Sequence, residues 1–232
     1  MEETTSMVMI KIVLVGVVSW AGLFVCVRRS LPKRSFEFSN RIVSTVHATL
    51  AVTLATISLL HHSPNLPDSK SSYHQMQTLA ISLSYLIYDL ICCLFDTRVN
   101  LDNTVHHLVS IVGIIAGLAY QKCGWEMVGA LWITEISSPF LHLRENLKEL
   151  GHRDTDLNLA ADLAFAVIFS FARMVVGPYL TFVTLSAPNN PLLIKVMAMG
   201  LQLVSAYWFY KIARMVKYKL TRRKYTQKNA MT

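Results

Sequence analysis

Two adjacent histidines, His106 and His107, open one apolar run of this 232-residue chain. A carboxylate, Glu135, stands inside another, in the stretch WITEISSPFLHLRENL at 132–147. Imidazole is the side chain best suited to take up a proton or attack a carbonyl near neutral pH, and a carboxylate beside it fixes its tautomer. Asp89 and Asp162 lie in two further apolar runs. A charge at mid-membrane costs about 2.5–3.5 kcal/mol on insertion scales, so each of these groups must face the inside of a bundle. The chemistry within reach is proton or acyl transfer, with His106 or His107 as base or nucleophile and Glu135 and Asp89 as orienting carboxylates. The same groups would equally serve as a structural polar network that ties helices together.

The elements that must position them are helices crossing a bilayer. Hydrophobic residues make up 53% of the chain and charged residues only 16%, against about a quarter in soluble domains, and the mean hydropathy is +0.41. Seven apolar runs approach or reach the ~20 residues a span requires: 7–27, 41–60, 76–95, 105–121, 126–143, 159–182 and 192–214. The expected fold is therefore all-α and polytopic. The net charge of +8 comes from residues flanking these runs, so it signals topology, and no nucleic-acid partner is expected. Arg28, Arg29, Lys33, Arg34, Arg98, Arg144, Lys148, Arg153 and the tail KYKLTRRKYTQK fall on one side. Lys11, Lys70, Lys122 and Lys195 fall on the other. The positive-inside rule puts the C-terminus in the cytosol and the N-terminus in the lumen, with residues 7–27 a retained anchor.

Helical periodicity shows which faces look inward. Ser82, Tyr85, Asp89, Cys92 and Asp96 share one face of the third span, and His106, Ser110, Gly113 and Gly117 one face of the fourth. Glu135, Ser138 and His142 align in the fifth; Ser44, His47 and Ala51 in the second; Asp162 and Arg173 in the sixth; Gln202 and Ser205 in the seventh. The first span has only Lys11 and reads as peripheral. The spacing favours His106 over His107 as the cavity-facing histidine, since neighbours on a helix point ~100° apart. On this topology Arg173 lies deeper than the carboxylates. Tyr85, Ser110, Ser138, His142, Asp162, Arg173 and His47 are the expected lining residues. Pro139 predicts a kink that opens space beside Glu135, with Ser137 and Ser138 bonding the freed carbonyls. Gly151 ends the extended fifth helix, and Asp154 or Asp156 caps the next.

Other signals are bland. The four cysteines read as small buried hydrophobes, and there is no Asn-x-Ser/Thr acceptor. None of the eight histidines has the His-x-x-x-His or His-x-x-His-His spacing of iron-dependent lipid hydroxylases, so no metal or other cofactor is expected. No paired broken helices or inverted repeat points to a transporter.

The double histidine opening one span, Glu135 about one span later, and EISSPFLHLRENL together resemble the TLC domain family, in the form of its small TLC domain-containing members. The resemblance covers roughly residues 40–215, leaving 1–39 as N-terminus and anchor and 216–232 as a basic tail. It implies a six-helix barrel around a polar-lined cavity, plus one peripheral N-terminal helix, and residence in the endoplasmic reticulum. The ceramide synthases, distant members, transfer acyl groups from acyl-CoA to sphingoid amines. Their motif starts with a double histidine and a Thr three residues on. Here His106 and His107 match and Ser110 takes the Thr place, but Thr134–Glu135 stands where that motif has a His-Asp pair. The expected function is thus in lipid metabolism or membrane lipid homeostasis, with a membrane lipid or acyl chain held in the cavity. The alternative is acyl-CoA-dependent N-acyl transfer through His106 or His107, with Arg98 and Arg144 meeting the CoA phosphates.

Overall fold

The computed structural model describes residues 2–61, 70–95 and 101–230. Among these the chain is helical throughout, apart from short turns and one backbone bridge between Lys70 and Lys122. Helix α1 is Glu2–Ser30, α2 Phe36–His61, α3 Tyr73–Phe95 and α4 Leu101–Tyr120. Then follow α5 Gly124–Glu135, α6 Ser138–Glu149, α7 Asp156–Phe171, α8 Gly177–Ser186 and α9 Leu192–Ala230. Six continuous helical stretches are long and apolar enough to cross a membrane: Thr4–Ser30, Phe36–His61, Tyr73–Leu94, Asn103–Tyr120, Asp156–Ser186 and Leu192–Arg214. The remaining apolar run is the α5–α6 pair. The fold is that of a polytopic all-α membrane protein.

Two of the expected spans are not simple rods. The fifth is broken at Ile136–Ser137, not bent at Pro139, which occupies the first turn of α6. Proline lacks an N–H, and the first helical turn is where a missing donor does least harm. The sixth is interrupted by a π turn, Ala172–Val176, immediately before Gly177 and Pro178 open α8. The wider turn comes just where Pro178 cannot donate, and such turns concentrate at functional positions. The cap of α7 is Thr155, whose hydroxyl accepts from the Asn158 amide at 3.3 Å, not Asp154 or Asp156. Gly151 does follow α6, at φ 84°.

The connections gather at two ends. At one, the Lys70–Lys122 bridge joins two loops, Gln121 reaches Ser6 at 3.4 Å, and the Cys123 thiol meets Asn190 at 3.1 Å. At the other, Glu149 accepts from the Ser35 amide at 3.0 Å and the Ser35 hydroxyl at 2.7 Å, with Arg41 at 3.5 Å. Asp96 and Arg98 lie outside the described residues.

Helix α1 sits outside the bundle but is firmly seated on α3. Trp20 is buried and donates its indole N–H to the Ser84 hydroxyl at 3.1 Å. Gly16 makes that approach possible, since a Cβ there would lie 2.3 Å from the Ser84 oxygen. Leu14, Val15 and Val18 on the opposite face are exposed, as a lipid-facing helix requires.

Two outcomes are expected. Gly16→Leu should destabilise the protein by about 1–3 kcal/mol through overpacking, measured by reversible unfolding in detergent. Gly22→Leu, with nothing within 4 Å of its added Cβ, should not. The second outcome concerns Glu149. Partial burial pushes its carboxyl up, but the Ser35 amide and hydroxyl, with Arg41 and Arg34, outweigh burial and hold it below the usual carboxylate range. A depressed folded value contributes stability above the unfolded value of about 4.3 and loses it as pH falls through the folded one. The stability advantage of the protein over Glu149→Gln should therefore be constant near neutrality and vanish on acidification, as read by thermal unfolding across pH.

Candidate functional site

The site is built at the break between α5 and α6. Because α5 stops at Glu135, the Thr134 carbonyl takes its hydrogen bonds from side chains. The Arg173 guanidinium donates to it at 2.7 Å and the Ser138 hydroxyl at 3.4 Å. Arg173 is 4% exposed. It also reaches the Ser205 hydroxyl of α9 at 3.4 Å and lies over the rings of Phe169 and Trp208, at 5.1 and 5.4 Å. Gln202 of α9 donates to the Arg173 carbonyl at 3.1 Å, inside the π turn. Glu135 lines the same space as Arg173. The guanidinium thus joins the broken helix, the π turn and α9 at one point. It stands level with Glu135, not deeper as the residue count implied. Helical side chains lean toward their N-terminus, and in the π turn that lean carries the long Arg173 back to the break.

Around this point are two adjoining chambers whose walls share Leu86, His106, Glu135 and Arg173. The outer one, about 420 Å³, has the more polar wall of the two. Asp89, His107, Ser138, His142, Arg144 and Lys211 lie on its wall. The inner one, about 110 Å³, is mostly apolar, with Met127, Leu131, Leu180, Ile194, Met197 and Leu201 on its wall. Ser110 lines the inner chamber and Tyr85 the outer. The small inner volume suits an unbranched chain, and the outer suits a hydrated polar group.

Both histidines line the outer chamber, so the angular argument for His106 alone does not hold. His107 is the one a carboxylate orients: its Nε2 is 3.2 Å from the Asp89 carboxylate. Asp89 is held in turn by the Asn40 amide at 2.7 Å, and Asn40 accepts from the Tyr88 hydroxyl at 2.7 Å. His106 packs against Trp208, ring centres 4.9 Å apart, and its buried Nδ1 has no hydrogen-bond partner.

Two expected lining residues lie elsewhere. His47 is fully buried behind the wall, stacked on Tyr85 at 3.7 Å and edge-on to Trp20. Asp162 pairs with Arg144 at 3.3 Å. Arg144 also binds Glu145 at 2.8 Å and lies over Phe165, so it is an internal clamp between α6 and α7. The residues the faces missed had signals. Asn40 continues the Ser44–His47 stripe one turn earlier, and Trp208 follows Ser205 by three.

Removing a buried hydrogen-bond donor strands its acceptor. Arg173→Met should lower stability by about 1–3 kcal/mol, and adding Ser205→Ala, which removes another partner of Arg173, should cost less in that background than in the wild type, as a double-mutant cycle in detergent unfolding would show.

Comparison with known proteins places this geometry. The family model for the TLC domain matches residues 37–214, which takes in every helix that lines the two chambers. A TLC domain-containing protein of Acanthamoeba polyphaga mimivirus is 28% identical over 152 residues, 61% of this chain and 73% of the relative. TLC domain-containing protein 4 C of Dictyostelium discoideum is 25% identical over 198 residues, 78% of this chain and 71% of the relative. TLC domain-containing protein 1 of Gallus gallus is 28% identical over 160 residues, 66% of this chain and 62% of the relative. With a membrane-spanning bundle and a family match over most of its length, the chain belongs to the TLC domain family.

Proposed function

We propose that this protein holds a single-chain membrane lipid, acyl chain in the inner chamber and polar head in the outer, and acts in membrane lipid homeostasis. One observation carries the reading: a mostly apolar chamber and one with a more polar wall share His106, Glu135 and Arg173. An amphipathic cavity of this kind matches an amphipathic ligand, since apolar surface must leave water while the head keeps its hydrogen bonds. The shared wall supplies an acceptor in Glu135 and a donor in Arg173, so a head bearing amide, hydroxyl or carboxyl groups suits it. On the charge distribution, the polar chamber opens toward the cytosol with the C-terminus on that side. Residence in the endoplasmic reticulum rests on family likeness.

A second reading, acyl-CoA-dependent transfer to a long-chain amine or alcohol, is favoured by the His107–Asp89 contact of 3.2 Å. There the imidazole would take the proton of the attacking group as the thioester opens and CoA leaves as thiolate. The absence of a His-Asp pair at Thr134–Glu135 and, among the described residues, of a carboxylate paired with His106 weigh against it.

Purification in mild detergent followed by extraction and mass spectrometry tests the primary reading. The protein should carry close to one equivalent of one lipid class. Gly113→Leu, which fills the inner chamber, should reduce that by roughly tenfold, about 1.4 kcal/mol of binding, at unchanged thermal stability. Lipid content equal in the two proteins would contradict the reading. Acyl transfer from a long-chain acyl-CoA that Gly113→Leu and His107→Ala both abolish would establish the second.

A further inference from the structure

A third group of side chains beside the outer chamber is used by neither reading in full. Asp89 and Cys93 stand four residues apart on one face of α3, and His107 faces them from α4. One ligand atom from each falls within 4.8 Å of the other two, and His107 Nε2 lies 3.2 Å from the Asp89 carboxylate. We propose that Asp89, Cys93 and His107 form a zinc site at the rim of the outer chamber.

The donor set fits that ion. A thiolate, an imidazole and a carboxylate are the three donor types zinc accepts, whereas magnesium and calcium take oxygen ligands alone. Ligand atoms on one tetrahedral zinc stand roughly 3.3–3.8 Å apart, so three atoms within 4.8 Å of one another need to close by only about 1 Å. Charge balance also favours it. Zn²⁺ with a carboxylate, a thiolate and a neutral imidazole sums to zero, which removes the penalty of leaving Asp89 charged inside a membrane helix. The outer shell is in place: Asn40 donates to the free side of the Asp89 carboxylate at 2.7 Å and is held by Tyr88. Such second-shell bonds fix ligand orientation. Three protein ligands leave a fourth position, and since Asp89 and His107 line the outer chamber, that position adjoins the proposed lipid head. With its Nε2 on zinc, His107 has no lone pair for general-base work. The site therefore departs from the transferase reading and leaves the lipid-holding one untouched.

The test uses the full chain in lipid nanodiscs, stripped with a chelator and titrated with zinc alone against a competing chromophoric chelator. Cobalt replaces zinc in a parallel sample to report the thiolate. The expected result is one zinc per chain and a thiolate-to-cobalt charge-transfer band. Cys93→Ser should abolish the band, and Asp89→Asn and His107→Ala should each weaken zinc by at least ~10-fold. Asn40→Ala should weaken it by about 10–100-fold through the outer shell. Cys93→His should keep zinc and lose the band, which separates a lost ligand from a misfolded chain. Cys92→Ser, outside the cluster, should leave zinc affinity unchanged. No stoichiometric zinc in the wild type, or affinity unmoved by Asp89→Asn, Cys93→Ser and His107→Ala alike, overturns the proposal. Either failure leaves the lipid-content measurement on Gly113→Leu standing as a separate result.

Discussion

The guanidinium of Arg173 is the constraint on which the rest of this structure turns. A broken helix inside a bilayer exposes carbonyls that lipid cannot satisfy, so each must find a protein donor. Here Arg173 and Ser138 share the Thr134 carbonyl, and Gln202 closes the π turn that carries Arg173. The break lets α5 and α6 diverge, and the space between them and α9 becomes the cavity. Arg173 satisfies the backbone the break exposes, and Glu135, at the end of α5, lines the same space.

The remaining charges follow the same logic. Arg144 clamps α6 to α7 through Asp162, and Asp89 joins α2, α3 and α4 through Asn40 and His107. These pairs surround the outer chamber, while the inner chamber keeps an apolar wall. Polar networks in a membrane bundle hold helices at fixed distances that apolar packing alone leaves adjustable. Rigidity at the rim and an apolar slot below it are what a lipid-holding cavity needs. Helix α1 stands outside this scheme, docked through Trp20 and Gly16 on the back of α3.

Much of this was legible in the sequence because membrane burial imposes strict periodicity. Apolar runs marked the spans, and the three-and-four spacing of Tyr85, Asp89, His106, Ser110, Glu135, Ser138 and His142 marked residues that line the chambers. What was not legible depends on neighbours and on backbone irregularity. Pro139 signals a disturbance but not that the helix stops at Glu135 and resumes at Ser138. The π turn left no signal beyond Gly177–Pro178. Helical angles placed His107 off the cavity face, yet its partner on α3 comes close enough to draw it in. Asp162 and His47 fall on polar faces of their helices, yet Asp162 pairs with Arg144 and His47 packs behind the wall. Cys93 carried no sign of polarity at all, and only its proximity to Asp89 and His107 singles it out.

The most direct test of the account is photocrosslinking with two forms of one long-chain lipid, a diazirine at the chain end in one and beside the head in the other. Mass spectrometry of the labelled protein then maps each probe. The account predicts that the chain-end probe labels inner-chamber residues such as Met127, Ile194 and Met197. The head-proximal probe should label the outer wall near His142 and Trp208. Labels confined to the exposed outer faces, at Leu14, Val167 or Phe182, would show that lipid only surrounds the bundle, and would contradict the claim that the cavity holds it.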